Sequence, residues 1–462
     1  MVHVIGGGLA GSEAAWQAAS MGVRVTLCEM RPNRPTAVHQ TDRLAELVCS
    51  NSFRGDKLEN AVGLLKEEMR RMSSLVMEVG DRTRVPAGTA LAVDRERFAE
   101  EVTTAVQAHP LITVKRIEIE AIPAGHTPVE PAIIATGPLT SECLSADIAA
   151  FVGTDHLYFY DAISPIVLAE TIDWTRAFRA SRWGGVSPEP ASDASPGQES
   201  GDYVNCPLTA DEYDRFYNAV TPAESATVHD FDQTKFFEGC LPIEVMASRG
   251  RDTLRFGPMK PVGLIDPRVA RQPYAVVQLR QDNLAGEHFS LVGFQTQLKW
   301  GEQDRVLRLI PGLERAEFVR YGMIHRNTYI NAPTVLRETW QTRQRADLFV
   351  AGQLSGVEGY VESAASGLMA GLNAAALVHS REPLVAPRTT ALGALAYYVS
   401  HADAHNYQPT NITFGIMPPL PQAPKRRAAR RLATAERALH DLAVWRADVG
   451  LKHDAQSTPI VS

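Results

Sequence analysis

Cysteine is scarce in this chain. Five residues, an odd number scattered over 462 positions, do not make a disulfide framework, and they fit a reducing compartment. No apolar run approaches the roughly 20 residues that span a bilayer. The N-terminus has neither a basic n-region nor a small-residue cleavage site, so no signal peptide is expected. These absences predict a cytoplasmic protein without a membrane partner. Positive charge is not in excess either: the formal net charge is −7, which counts against nucleic acid as a partner because phosphate contacts need Lys and Arg. No internal repeat is visible. His401 and His405 lie four apart around Asp403, but no third ligand stands at a suitable spacing, so no metal site is expected.

What is there is an ordinary globular balance, 45% hydrophobic and 21% charged, in a chain long enough for a large core divided into two or three lobes. One stretch departs from the average charge. Lys425, Arg426, Arg427, Arg430, Arg431 and Arg437 form a basic run on a segment of helical composition. It reads either as a solvated helix face or as a surface for nucleic-acid phosphates.

Periodicity gives the organisation. Val2 to Ile5 reads as a short buried strand, Gly6 to Gly8 as a turn, Ser12 to Met21 as an Ala-rich helix and Val23 to Cys28 as a second strand. A helix is expected from about Ala61 to Met77, where Leu64, Leu65, Met69 and Met72 oppose a charged face. Pro131 to Thr136 is another strand. From Gly184 to Gly201 the composition turns to Gly, Ser, Pro, Asp and Glu, and the segment is expected to be a flexible surface insertion without chemistry. Strands at Ala275 to Leu279 and Ser290 to Phe294 belong to a second lobe inserted into the first. The strand Leu348 to Ala351 and the small-residue helix Ser363 to Val378 return to the first lobe.

Gly6, Gly8 and Gly11 make a G-x-G-x-x-G pattern between a strand and a helix. The first glycine allows the tight turn, the second lets backbone approach a pyrophosphate, and the third lets helix and strand pack closely. Glu29 ends the next strand, about 20 residues on, where a carboxylate can accept from an adenosine ribose. Ala135-Thr136-Gly137 after one strand and Ala351-Gly352-Gln353 after a late one add the habit of two-lobed flavoproteins, and favour FAD over NAD.

Longer stretches carry a resemblance. Ala45 to Ser52 (Ala-Glu-Leu-Val-Cys-Ser-Asn-Ser), Phe237 to Glu244 (Phe-Glu-Gly-Cys-Leu-Pro-Ile-Glu) and Ala351 to Ser363 closely resemble the bacterial folate- and FAD-dependent tRNA uracil-5 methyltransferases. Asn205 to Leu208, Gly322 to Tyr329, His401 to Asp403 and Asn411 to Gly415 extend the similarity over nearly the whole chain. The insertion departs from the family pattern.

The resemblance implies an α/β fold: a Rossmann-like FAD-binding domain of the glutathione-reductase type carrying a smaller inserted α+β domain. Residues 1–170 and 321–462 would form the first and 171–320 the second. It also implies that methylenetetrahydrofolate gives its carbon to C5 of the T-loop uridine of tRNA, with FAD as reductant and NADPH or NADH restoring it. Residues expected around the flavin are Gly6, Gly7, Gly8, Leu9, Ala10, Gly11, Glu29, Arg31, Thr136, Gly137, Gly352, Gln353, Gly359 and Tyr360. C5 of uracil becomes a nucleophile only after something adds to C6, and a thiolate suits that addition. Cys240 is expected in that role and Cys49 close to the flavin, removing the C5 proton or handling the one-carbon adduct; sequence leaves an exchange of roles open.

Cys28, Cys143 and Cys206 read as structural. His325 could stack on a pterin, or be a satisfied loop histidine. Lys425, Arg426, Arg427, Arg430 and Arg431 become candidates for the tRNA surface, which Lys57, Lys66, Arg70 and Arg71 could extend. Competing readings are the longer wobble-uridine-modifying flavoprotein of the GidA type, an RNA-binding redox flavoprotein, and a small-molecule oxidoreductase. The oligomeric state stays open.

Overall fold

The computed structural model describes residues 1–36, 38–125, 130–153, 157–162, 164–184, 201–225, 241–322, 324–405 and 407–451, of which 157–162, 184 and 324–328 are described as backbone only. Val2–Ile5 is the middle of a five-stranded parallel sheet, with Val25–Cys28 on one side and Ala132–Ile134 on the other. Ile112–Lys115 and Leu348–Val350 complete its two edges. Three of these strands are buried along their whole length, as a parallel sheet covered by helices on both faces requires. The late strand thus lies two places from the first, although most of the chain separates them.

The helix after the first strand begins at Leu9 and runs to Ser20, three residues earlier than periodicity alone indicates. The long helix Tyr360–Val378 packs directly on it. A Cβ at Gly367 would stand 2.1 Å from the Ala10 carbonyl oxygen, and one at Gly371 2.4 Å from that of Ala14. Two glycines one turn apart therefore set the distance between the helices. At 19 residues this helix is long and apolar enough to cross a membrane by composition alone, which corrects the expectation that no such run exists. Its most apolar window is 83% buried inside the protein, so it serves as a core helix.

The helix expected from Ala61 to Met77 is two helices, Ala61–Arg71 and Leu75–Arg82. Ser73 adopts φ 56°, and Ser74 caps the second helix by accepting the Met77 N–H at 3.2 Å. Its hydroxyl also donates to the buried carboxylate of Glu13 at 2.8 Å. Local capping chemistry broke a continuous apolar stripe.

A second sheet of six strands runs in the order Phe178–Arg179, Tyr203–Leu208, Ala275–Gln281, His288–Leu291, Ile166–Leu168, Phe318–Arg320. All its pairings are antiparallel. It encloses its own core, including Val204, Cys206, Tyr213, Phe216, Phe289 and Phe294, separate from the core of the parallel sheet. The chain leaves the first lobe along Leu157–Ala162 and returns along Ile324–Tyr329, and these two strands pair with each other. Of the Gly184 to Gly201 insertion, residues 185–200 lie outside the described residues.

Candidate active site

The glycine turn shows why each glycine is needed. Gly6 has φ +99°, and a Cβ there would lie 2.6 Å from the Ala135 carbonyl oxygen. At Gly11 it would lie 1.8 Å from the Gly6 carbonyl oxygen, because helix and strand are in contact there. At Gly8 it would meet nothing within 4 Å. Gly8 borders open cleft, and the helix beginning at Leu9 has no side-chain cap. Uncapped N–H donors and the positive helix end facing open space make an anion site.

Glu29 is fixed behind this turn. Its Oε2 accepts the Gly7 N–H at 2.8 Å, and its Oε1 accepts from Arg31 Nε at 2.9 Å and from the Arg31 N–H at 3.0 Å. Burial alone would raise its pKa, but the Arg31 guanidinium and these hydrogen bonds hold it below the usual carboxylate range. Arg31 in turn reaches Glu46 at 3.1 Å. His39, hydrogen-bonded through Nδ1 to Thr36 Oγ1 at 2.7 Å, lines the same cleft. Burial, and then the Arg31 charge, lower its pKa to about 4, so it is neutral near pH 7.

The cleft gathers Gly6, Gly7, Gly8, Leu9, Ala10, Glu29, Arg31, Thr136, Gly137, Gly352, Gln353 and Tyr360. Gly11 lies beneath it as a packing contact. The residues fit a dinucleotide: an open glycine turn at a helix N-terminus, a buried ionised carboxylate, and apolar walls from Val48, Ile117, Ile119 and Leu144.

The cleft continues into a second chamber, of about 1230 Å³ with its open mouth. Val48, Pro138, Gln353, Tyr360 and Ser363 line both spaces. Gly359 and Cys49 line the second, with Ser50, Arg54, Arg280 and Gly293. The Cys49 sulfur lies 3.0 Å from the Tyr360 hydroxyl, which also receives the backbone N–H groups of Cys49 at 3.0 Å and Ser50 at 3.2 Å. Arg280 holds the following residues, through Ser50 Oγ at 2.8 Å and Asn51 Oδ1 at 2.9 Å. Arg95 bonds the Leu47 carbonyl at 2.6 Å and Asp282 at 3.0 Å. Arg95, Arg280 and Arg320 all stand within Coulombic reach of Cys49.

None of these arginines was singled out by sequence reasoning. They come from the start of the helix Arg95–Ala108 and from two strands of the second sheet, and no local motif marks such a convergence.

The remaining expected residues are placed unevenly. Cys240 lies outside the described residues. His325 is placed by its backbone only, on the strand Ile324–Tyr329 opposite Asp161; this strand packs beside the turns Gly137–Leu139 and Gln353–Ser355. Cys206 is fully buried, and burial pushes its thiol up to about 12; Cys28 is buried at a strand end and Cys143 is exposed. Lys425, Arg426, Arg427 and Arg430 are exposed and Arg431 half-buried, on and just before the helix Arg427–Asp448. Lys66 is a correction. It is fully buried and paired with Asp56 at 3.1 Å, so it offers nothing to a phosphate, and Arg70 is engaged by Asp81 at 2.7 Å and Asp56 at 3.1 Å.

Similarity to known proteins agrees with this geometry. The family described as "Glucose inhibited division protein A" matches residues 1–382. The methylenetetrahydrofolate–tRNA-(uracil-5-)-methyltransferase TrmFO of Desulforudis audaxviator is 56% identical over 450 residues, 97% of this chain and 99% of that protein. Those of Symbiobacterium thermophilum and Enterococcus faecalis are 57% and 54% identical, over 96% and 95% of this chain and 96% and 97% of theirs. The chain belongs to the TrmFO family. These TrmFO proteins match it over nearly its whole length. Among solved structures, Aquifex aeolicus GidA superposes with a TM-score of 0.71 at 19% identity, covering 98% of this chain and 76% of that one. That agreement establishes the α/β Rossmann-like fold shared with the TrmFO chain described here.

Proposed function

We propose that this chain methylates C5 of the T-loop uridine in tRNA, taking the carbon from methylenetetrahydrofolate. The near-full-length identity of 54–57% to proteins named for that activity carries the reading. The continuity of the nucleotide cleft with the chamber holding Cys49 supports it. FAD is the cofactor for the glycine turn, with Gly6 to Ala10 at its pyrophosphate and Glu29 at its ribose. Bound there it supplies the reducing equivalents that complete the methyl group, and NAD(P)H restores them.

The chain's own residues have three tasks. The uridine must leave its stack to reach the chamber, and the basic run from Lys425 to Arg431 supplies phosphate contacts for the surrounding tRNA. Cys240 adds to C6 and makes C5 nucleophilic. C5 then attacks the one-carbon unit as that carbon's C–N bond to the folate breaks, and Cys49 takes the C5 proton: the S–H bond forms as C5–H breaks, and the electron pair returns to the enolate of the uracil ring. His325, on the strand beside the cleft, contributes to the folate pocket.

The wobble-uridine reading is the second choice. At 19% identity this chain covers 76% of the GidA structure, against 96–99% of the TrmFO relatives. The test is incubation of the yellow protein with unmodified tRNA transcript, methylenetetrahydrofolate labelled in its methylene carbon, and NADPH. Label recovered as 5-methyluridine is the expected result. Its absence with FAD bound would overturn the methyltransferase reading and favour a redox flavoprotein.

A further inference from the structure

The Tyr360 hydroxyl accepts two backbone N–H groups, from Cys49 at 3.0 Å and Ser50 at 3.2 Å. A phenol oxygen has two lone pairs and one proton. Both acceptor positions are filled, so the proton has to point elsewhere, and the Cys49 sulfur lies 3.0 Å away. We propose that Tyr360 is a positioning residue for the methyl transfer, its hydroxyl donating to Cys49 Sγ and holding that sulfur as a thiolate beside the chamber. The proposal rests on the reading that Cys49 serves the reaction.

Three further features support it. Burial, and then the Cys49 charge, raise Tyr360 well above 10, so the phenol keeps the proton it donates. Arg95, Arg280 and Arg320 each interact electrostatically with Cys49, and positive charge favours a thiolate. The side chain cannot drift: Tyr360 opens the long helix that is seated on the first helix through Gly367 and Gly371, and Phe53 packs against its ring, the centroids 5.9 Å apart. A sulfur stabilised this way is less nucleophilic than a free thiolate. It is held ionised, the form that can accept a proton near pH 7, and addition to C6 is left for Cys240.

The test uses FAD-loaded full-length protein in three forms: unaltered, Tyr360→Phe, and with Tyr360 replaced by 3-fluorotyrosine, whose more acidic hydroxyl is a stronger donor. Iodoacetamide labelling of the peptide carrying Cys49 is followed by mass spectrometry from about pH 5 to 9. The phenylalanine variant is expected to label roughly threefold to tenfold more slowly near pH 7 and to converge with the unaltered protein at high pH. Fluorotyrosine should move the titration to lower pH. Superimposable Cys49 profiles in all three proteins would overturn the proposal; if Tyr360→Phe loses its flavin, the fluorotyrosine protein decides alone. The labelling readout is independent of methyl transfer. A shifted titration in a protein that does not methylate tRNA would sink the functional reading and leave the Tyr360 assignment standing, and the reverse result would do the opposite.

Discussion

Glu29 accepts the Gly7 backbone N–H at 2.8 Å while its other oxygen is held by Arg31 at 2.9 Å. The carboxylate at the end of one strand is thereby tied to the turn at the end of another. Glu29→Ala should weaken FAD binding by tenfold or more, since it removes a charged acceptor and releases Gly7. Glu29→Gln should lose less. Flavin titration of apoprotein measures both.

The glycine turn separates folding from binding. Gly8→Ala should leave the apoprotein's thermal unfolding almost unchanged, because the new methyl meets nothing within 4 Å, yet abolish stable flavin binding by occupying the cleft. Gly11→Ala should destabilise the apoprotein by about 3 kcal/mol through overpacking, with its Cβ built 1.8 Å from the Gly6 carbonyl oxygen. Equal unfolding temperatures for the two variants would contradict this account.

His39 gives a pH signature. Its folded pKa is lowered to about 4, whereas an unfolded chain takes up the proton near 6.5. Acid therefore favours the unfolded state: the contribution is complete above about pH 6.5 and is lost progressively down to about pH 4, by about 3 kcal/mol. Urea denaturation at several pH values should show this slope, and His39→Asn should flatten it.

Two groups of basic residues should part company in a tRNA-binding experiment. Arg427→Ala combined with Arg430→Ala should weaken binding across sequences and lower the salt dependence by about one unit per lost phosphate contact, with little change in melting temperature. Lys66→Ala should cost about 3 kcal/mol of stability, because it leaves a cavity at a fully buried side chain and takes from Asp56 one of the cations it shares with Arg70 and Arg84. Its tRNA affinity at low temperature should be unchanged.

The legible parts of the molecule were those written in consecutive residues. Gly6 to Gly11 between a strand and a helix, Glu29 at the end of the next strand, and the return of the chain at Leu348 each depend on spacing along one element. The break at Ser73 was hidden because the apolar stripe of Leu64, Leu65, Met69 and Met72 continues across it, while the capping hydroxyl of Ser74 decides the outcome. Lys66 looked like surface charge because Asp56 is brought to it by a turn of backbone. The arginines around Cys49 come from three separate elements, and only the packing of the second sheet against the first lobe brings them together.

The long helix acts as a ruler. Tyr360 and Gly367 are seven residues apart, about 10 Å at the helical rise; one end stands beside the Cys49 sulfur and the other on Ala10, in the first turn of the helix that follows the glycine turn. Any substitution that shifts this rod against the first helix alters the distance from the glycine turn to Cys49. Gly371, buried and remote from the chamber, therefore helps set the spacing between the glycine turn and Cys49 without lining either space.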